Sequence, residues 1–268
     1  MIPVDRKQRM LEFATSTGLV VSVAIAGIAA WYGVVGWFEL PKALLPTPGQ
    51  VWDAAVIHRE ELVRGTIATG AAAVAGLAAA IILGVWISIA FSLSRRIRMA
   101  FFPYVLLLQT VPIVAVAPLL IIWSGYTFRT VVIVTVIVCL FPIVNSVTTG
   151  LVSIDRDASD LFRLYGAGRR RRLTKLQIPS SVQHLMLGAK TSSGLAVIGA
   201  IVAEFFVGNG TSYDGLGTLM TGWQGLAKTD ALIAALFGSA GLGLALFGAV
   251  QLVSSTLLRR WTSSRPTR

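Results

Sequence analysis

Few side chains in this sequence are able to do chemistry, and those few lie within long apolar segments. Four of them carry an amide, a hydroxyl or a carboxyl among apolar neighbours: Gln109, Asn145, Ser193 and Glu204. Polar groups at membrane depth are costly and usually face the protein interior or water. They are therefore candidates to line a passage, although bonding between helices is the commoner role for Gln109 and Asn145, and Glu204 could simply reach an interface.

Catalytic and metal-binding motifs are missing from the sequence. It contains no G-x-x-x-x-G-K-[ST] phosphate loop, no H-E-x-x-H pair and no G-x-S-x-G elbow. His58 and His184 are far apart, and the single Cys139 lies in an apolar run where a thiol is usually inert. We predict that the chain is not an enzyme and binds no metal and no cofactor of its own.

The composition assigns these residues to a membrane. Of 268 residues, 55% are hydrophobic and 13% are charged, and the mean hydropathy is +0.75. A soluble domain has about 45–50% apolar and about 25% charged residues, so this chain would expose large apolar patches in water. The net charge of +11 could indicate nucleic acid, but the sequence offers no soluble basic domain to bind it.

Apolar runs of the length that crosses a bilayer occur six times. About 20 apolar residues are needed to cross the hydrocarbon as a helix, and lipid requires that backbone groups bond within the segment. We therefore predict an all-α membrane protein with six transmembrane helices in a domain spanning residues 17–258. The predicted spans are Thr17–Phe38, Thr66–Phe91, Phe101–Trp123, Phe128–Val152, His184–Phe206 and Ala231–Leu258.

The basic residues predict the orientation of these spans. Most of the 23 lysines and arginines fall in one alternate set of gaps and in the two terminal segments, 1–16 and 259–268. Because cytoplasmic loops of membrane proteins are enriched in Lys and Arg, both termini are expected in the cytoplasm of a multi-pass protein of the cell inner membrane.

Two connecting segments carry local signals. Thr47-Pro48-Gly49-Gln50 predicts a capping box that starts a short amphipathic helix, with Trp52 as an interface anchor. The segment 153–183 predicts two short helices, the second closed by Pro179. On residues alone this segment is either a basic stretch held against lipid or a docking surface for a cytoplasmic partner.

The segment 153–183 also carries a family resemblance. Asp160-Leu161-Phe162, Gly166 and Leu176-Gln177-Ile178-Pro179 are spaced as in the EAA loop of membrane subunits of binding-protein-dependent ABC importers. Asp160-Leu161-Phe162 departs from the usual E-A-A triplet in having larger apolar residues. Further matches are Leu45-Pro46-Thr47-Pro48, Ala117–Trp123, Ala203-Glu204 and Gly215-Leu216-Gly217. The sequence most resembles the branch serving nitrate, sulfonate and taurine, which includes permeases for thiamine and riboflavin precursors.

The resemblance implies a fold, partners and site residues. The fold would be the type I ABC importer (MetI-like) permease fold, working with an ABC ATP-binding subunit, a periplasmic or lipoprotein solute-binding protein and a second permease copy. ATP would bind the partner subunit, and the solute would be a small anion or a pyrimidine precursor. The EAA-like loop, residues 153–183, would dock the ATPase with Gly166 as a hinge, through Asp160, Leu161, Phe162, Leu164, Tyr165, Gly166, Ala167, Leu176, Ile178 and Pro179.

The spans alone leave one alternative open, a self-sufficient secondary carrier or channel. Proton or sodium coupling would need acidic groups in the membrane, and these are nearly missing from the predicted spans. The sequence therefore favours the importer subunit.

Overall fold

The protein is described here from a computed structural model covering residues 6–208 and 213–262. For residues 6–17, 156 and 259–262 only the backbone is described. The predicted terminal segments 1–16 and 259–268 therefore lie outside the described side chains, and residues 1–5 and 263–268 lie outside the described residues altogether. What the sequence predicts for them stays a prediction.

Every regular element of the described residues is helical, which confirms the predicted fold class. Eleven α-helices and one π-helical turn, Leu173–Gln177, follow one another along the described chain. The helices are α1 Arg6–Trp37, α2 Pro48–Ile57, α3 Arg59–Leu93, α4 Arg95–Thr110, α5 Ile113–Ser124, α6 Phe128–Val152, α7 Arg156–Leu164, α8 Arg169–Arg172, α9 Ile178–Val207, α10 Leu216–Gly225 and α11 Thr229–Thr262.

Five described helices are long and apolar enough to cross a membrane, and the count is six if a bent pair forms one span. That pair is α4 and α5, which meet at an angle of 100°. The predicted span Phe101–Trp123 therefore consists of two helices joined at a break. Pro112 lacks a backbone N–H and forces Val111 before it into an extended conformation (φ −73°, ψ 123°), whereas Pro118 stays within a helix.

The chain divides into two compact units, Met1–Arg59 with Trp223–Ala234, and Glu60–Gly222 with Ala235–Arg268. In the smaller unit, the indole N–H of Trp31 donates to the carbonyl of Pro46 (3.1 Å), and Lys42 pairs with Asp230 (2.8 Å). The predicted capping box is confirmed. Gln50 N–H donates to Thr47 Oγ1 (3.3 Å), and Thr47 N–H donates to Gln50 Oε1 (2.9 Å).

In the larger unit, α6 and α9 pack along most of their length. Val131, Ile143 and Leu151 of α6 are fully buried in this core. Gly188 of α9 allows the close approach, because a Cβ there would lie 3.2 Å from the Cα of Ile143. Small residues at helix interfaces of this kind let backbones pack tightly in membranes.

Candidate functional site

The EAA-like loop contains one well-defined helix, α7. Asp155 caps it by accepting a hydrogen bond from Asp157 N–H (3.2 Å). Asp157 in the first turn and Arg163 in the last turn match the helix dipole. The ion pair between Arg163 and Asp160 (3.6 Å) is exposed, so it adds little to stability. The predicted first helix of the loop is therefore present, with polar interactions that define both ends.

The apolar residues of this helix point into solvent. Leu161 is 52% exposed, Leu164 is 85% exposed and Tyr165 is 82% exposed, whereas Phe162 is half-buried. The helix is strongly amphipathic, yet nothing among the described residues covers its apolar side. Burial of such side chains is worth about 1.5–3 kcal/mol each, so this face gains stability when a partner covers it.

Gly166 ends α7 in a Schellman motif. Its φ is +66°, its N–H donates to the carbonyl of Arg163 (2.9 Å), and the N–H of Ala167 donates to the carbonyl of Phe162 (2.9 Å). A left-handed residue at this position favours glycine, which has no Cβ to clash. A Cβ on Gly166 would meet no atom within 4 Å, so the backbone conformation alone imposes the requirement for glycine.

The second half of the loop differs from the prediction. Residues 169–177 are helical as expected, but the helix continues through a π-turn into α9, and Pro179 does not close it. Pro179 has no N–H to donate, and it closely follows the π-turn, where the regular hydrogen-bond pattern of the helix is already interrupted, so it is accommodated within the continuous stretch. The Gln177 amide donates to the carbonyl of Leu151 (3.3 Å), which ties the start of α9 to the end of α6.

Three of the predicted docking residues lie on this continuous helical stretch: Leu176, Ile178 and Pro179. The others lie on α7 and its C-terminal turn: Asp160, Leu161, Phe162, Leu164, Tyr165, Gly166 and Ala167. The structure thus separates the predicted docking residues into an exposed helix and the root of a long span.

The four candidate pathway residues do not come together. Gln109 is exposed beside the break between α4 and α5, and Asn145 is exposed on α6. Ser193 is fully buried, and its hydroxyl donates to the carbonyl of Lys190 on its own helix (2.7 Å). Glu204 is fully buried as well, so it does not reach an interface in this structure. Their contact with a solute stays a prediction.

Asn145 opens onto a cavity of about 500 Å³ between α4 and α6. Its polar lining comes from Arg98 of α4 and from Asn145, Thr148, Thr149 and Ser153, and its apolar lining comes from Met99, Phe102, Pro103 and Val152. Asn145 and Thr149 lie one helical turn apart on the exposed face of α6, and Ser153 follows the helix one turn later. Exposed polar groups in a row along an apolar span are typical of a water-filled passage or a protein contact.

Glu204 forms a hydrogen-bonded cluster at the other end of α9. Its Oε2 accepts from the hydroxyl of Thr69 on α3 (2.9 Å) and from the N–H of Gly217 on α10 (2.8 Å). Its Oε1 accepts from the hydroxyl of Tyr213 (2.9 Å). Burial raises the pKa of the Tyr213 phenol, and the adjacent Glu204 carboxyl raises it further, so the phenol stays protonated as a donor.

Thr69 of α3 bonds to α10 as well as to Glu204 of α9. While its hydroxyl donates to Glu204, it accepts the N–H of Leu216 at the start of α10 (2.8 Å). Leu216 N–H and Gly217 N–H are among the unpaired donors at the beginning of a helix, and a carboxylate there is favoured by the helix dipole. Glu204 and Thr69 together therefore supply the N-terminal cap of α10.

Gly215 and Gly217 leave the space that the Glu204 side chain occupies. A Cβ on either glycine would collide with Glu204. The pairing of Ala203-Glu204 with Gly215-Leu216-Gly217 in the sequence is thus one structural unit. Sequence reasoning identified Glu204 but missed Thr69 and Tyr213, because a lone Thr in an apolar helix and a Tyr in a glycine-rich segment carry no periodic signal. It also missed α10 itself.

Among the described residues, no group of His, Cys, Asp or Glu is arranged to hold a metal ion. The structure thus contains an exposed amphipathic helix, a polar-lined cavity and a buried, hydrogen-bonded carboxyl group.

Comparison with known proteins identifies the family. Residues 76–266 match the family described as binding-protein-dependent transport system inner membrane component. The chain is 33% identical to the formylaminopyrimidine transport permease protein ThiX of Halalkalibacterium halodurans over 220 residues, which cover 80% of this chain and 85% of that protein.

Two further relatives cover more of the chain. It is 30% identical to the riboflavin transport system permease protein RibX of Chloroflexus aurantiacus over 251 residues, 92% of this chain and 91% of that protein. It is 25% identical to the putative aliphatic sulfonates transport permease protein SsuC of Bacillus subtilis over 264 residues, 97% of this chain and 93% of that protein.

These likenesses confirm the predicted ABC importer permease with the MetI-like fold, and a transport subunit rather than an enzyme. They also imply an ATP-binding subunit and a substrate-binding protein as partners. The chain belongs to the inner membrane components of binding-protein-dependent transport systems.

Proposed function

We propose that this permease admits a small solute to the cytoplasm and that α7 is the point at which the ATP-binding subunit drives it. The observation that carries the proposal is the exposed apolar side of α7, with Leu164 and Tyr165 more than four-fifths exposed. A helix whose two ends are capped while its apolar face is bare is suited to insert into a groove of another protein.

We place α7 and both termini in the cytoplasm. The support is the charge of the loop, where Arg169–Arg172 follow α7 directly. Basic residues of this density are retained on the cytoplasmic side of a membrane and are attracted to anionic lipid. The solute-binding protein would then deliver the solute at the opposite face, which contains the connection between α9 and α11.

We further propose that the permease works as two copies of this chain. The support is the break between α4 and α5, where Gln109 and Thr110 are exposed beside Val111 and Pro112. Non-helical backbone at membrane depth is tolerated where protein or a water-filled cavity covers it, but not against lipid. A second copy would supply that cover.

The cavity between α4 and α6 is the proposed cytoplasmic half of the passage. Arg98 is half-buried in its lining, and no ion pair joins it to another described residue. An unpaired guanidinium favours a carboxylate or a sulfonate over a cation. Within the range of solutes named for the relatives, this feature favours a small organic anion such as an alkanesulfonate.

The test is capture of an ATPase by the purified permease. Detergent-solubilised membranes of the source cells should yield a complex that hydrolyses ATP and contains an ABC ATP-binding subunit. Replacing Leu164 or Tyr165 by Ser should lower its recovery several-fold, whereas Leu226→Ser, equally apolar and 67% exposed, should not. Equal recovery with all three variants would refute docking at α7.

The orientation is tested separately with thiol labelling in intact cells. Cys139 is fully buried, so an introduced thiol can be read against a low background after Cys139→Ser. Gly168→Cys should react with an impermeant maleimide only after the cells are permeabilised, and Asp53→Cys should react without permeabilisation. The reverse pattern would contradict the orientation. Solute uptake by the purified chain alone under an ion gradient would instead favour a secondary carrier.

A further inference from the structure

We propose that Glu204 is a positioning residue that makes α10 follow the movement of α9, so that nucleotide events at α7 reach the opposite face of the membrane. The inference rests on the proposed function, because it takes α7 as the driven element. It assigns to Glu204 a role in coupling rather than contact with the solute.

Helix α9 is long and continuous. It runs without interruption for 30 residues from Ile178 to Val207, about 45 Å at about 1.5 Å per residue. Pro179 does not interrupt it, because this proline closely follows the π-turn Leu173–Gln177. Its start joins directly to the EAA-like loop, and Glu204 lies in its last turn. A displacement of the root of this helix is therefore felt at Glu204.

Glu204 bonds across elements. The three groups that donate to its carboxylate all lie outside α9: the hydroxyl of Thr69 on α3, the hydroxyl of Tyr213 after the span and the backbone N–H of Gly217 on α10. A buried polar residue that served only α9 would bond within its own helix, as Ser193 does. Glu204 instead connects the moving helix to two other elements.

The Glu204 cluster is closely packed. Glu204 has no exposed surface, and Gly215 and Gly217 pack so closely that neither could carry a Cβ. Water cannot replace the protein donors without opening the cluster, and a buried carboxylate that loses its donors is strongly disfavoured. The start of α10 must therefore move with α9 or break the hydrogen bonds that Gly217 and Tyr213 donate to Glu204.

The effect of each substitution follows from the donor pattern. Glu204→Ala removes both carboxylate oxygens, which accept the bonds from Thr69, Tyr213 and Gly217. Thr69→Val keeps the size of the side chain but leaves Leu216 N–H without its acceptor and Glu204 with one donor fewer. Glu204→Gln can keep an oxygen toward Thr69 and Gly217, because the Tyr213 hydroxyl can rotate and accept from the amide N–H₂. We expect the glutamine variant to retain the coupling.

The matched control is Thr221→Val on α10. The Thr221 hydroxyl bonds only to the carbonyls of Gly217 and Thr218, within its own helix. The same change of hydroxyl to methyl is therefore made without touching Glu204. If the labelling changed only because α10 packed less tightly, Thr69→Val and Thr221→Val would show the same change.

The experiment follows α10 directly and needs no knowledge of the solute. In the reconstituted complex with its ATP-binding subunit, a single thiol is introduced as Gly222→Cys in a Cys139→Ser background. Gly222 is exposed, and a Cβ there meets no atom within 4 Å. Its rate of reaction with a water-soluble maleimide is measured without nucleotide and with ATP plus vanadate, alongside ATP hydrolysis and the thermal midpoint.

We expect the labelling rate to differ at least threefold between the two nucleotide conditions in the parent, in Thr221→Val and in Glu204→Gln. In Glu204→Ala the two rates should become equal while ATP hydrolysis persists. In Thr69→Val, which keeps the bond between Gly217 and Glu204, the difference should be smaller than in Thr221→Val. An undiminished difference in both substitutions, or no difference in the parent, would overturn the inference. Should Glu204→Ala fail to assemble, the nearly isosteric Thr69→Val decides by whether its difference is reduced relative to Thr221→Val. A complex that retains no ATPase would instead refute the proposed function.

Discussion

The conformation of Gly166 allows the clearest quantitative prediction. Its φ of +66° is in the left-handed region, which costs a residue with a Cβ about 1–2 kcal/mol. Gly168, two residues later, has φ −61° and ψ 164°, a conformation that any residue adopts. A Cβ at either glycine would meet no atom within 4 Å, so the two sites differ in backbone conformation rather than in space.

Gly166→Ala and Gly168→Ala therefore form a matched pair. Replacing glycine by alanine also reduces the freedom of the unfolded chain, by about 0.4–1 kcal/mol. That contribution is common to the two variants and cancels when they are compared. The difference that remains is the left-handed strain, about 1–2 kcal/mol, which corresponds to roughly a 5- to 30-fold change in an equilibrium constant.

The direct measurement is hydrogen exchange at the end of α7. The N–H groups of Gly166 and Ala167 donate to the carbonyls of Arg163 and Phe162, so their protection reports the capped conformation. Protection, and binding of the ATP-binding subunit, should be about 5- to 30-fold lower in Gly166→Ala than in Gly168→Ala. Gly166→Asn should fall between the two alanine variants, because asparagine tolerates the left-handed region. Equal effects of the two alanine variants would refute the conformational argument.

Three further predictions concern stability. Gly188→Ala should lower the thermal midpoint by an amount equivalent to about 1–3 kcal/mol, because its Cβ would lie 3.0 Å from the Cβ of Ser146 and 3.2 Å from the Cα of Ile143. Gly194→Ala, whose Cβ would meet no atom within 4 Å, should not lower the midpoint, because alanine there only reduces the freedom of the unfolded chain. Equal midpoints for the two variants would contradict the packing of α6 on α9. Thr47→Ala should destabilise the start of α2 by about 0.5–2 kcal/mol. The measurement is hydrogen exchange at Gln50, whose N–H bonds to the Thr47 hydroxyl and should exchange faster in the variant. Unchanged exchange would show that the capping box is not formed. A double-mutant cycle between Lys42 and Asp230 should give a coupling below about 1 kcal/mol, because the Lys42 side chain is 58% exposed; a larger value would mean that the pair is shielded from water.

The sequence predicts the elements that rest on local chemistry. The capping box at Thr47 needs only four consecutive residues, and α6 is found at its predicted bounds because a long apolar run has one stable form in lipid. Gly166 was identified from its spacing, as a hinge between short helices. The structure explains why glycine is needed there. Gly166 is a left-handed C-cap, a backbone conformation that spacing in the sequence does not predict.

The elements that depend on tertiary contacts could not be predicted in this way. Pro179 and Pro112 have the same covalent constraint, yet Pro179 stays within a continuous helical stretch, closely after a π-turn, whereas Pro112 breaks a span. The Glu204 cluster brings together Thr69 and Gly217, which lie far apart in the sequence. They become neighbours only in the folded chain, where Thr69 of α3 comes within hydrogen-bond distance of Glu204 on α9, so no local sequence pattern predicts the cluster.

The distribution of contacts indicates where this permease can bend. Along α6 and α9, glycine and buried apolar side chains hold the two backbones together, and the Gln177 bond to Leu151 joins them at the loop. A close-packed pair of this kind moves as a body, because interiors are not continuously deformable. Relative motion is then concentrated where the helices are interrupted, at Val111–Pro112 and at the Schellman turn of Gly166. The far end of α9 has no comparable freedom, since Glu204 fastens it to α3 and α10. A force applied at α7 is therefore expected to displace α9 together with the start of α10, while the break between α4 and α5 absorbs the change in angle.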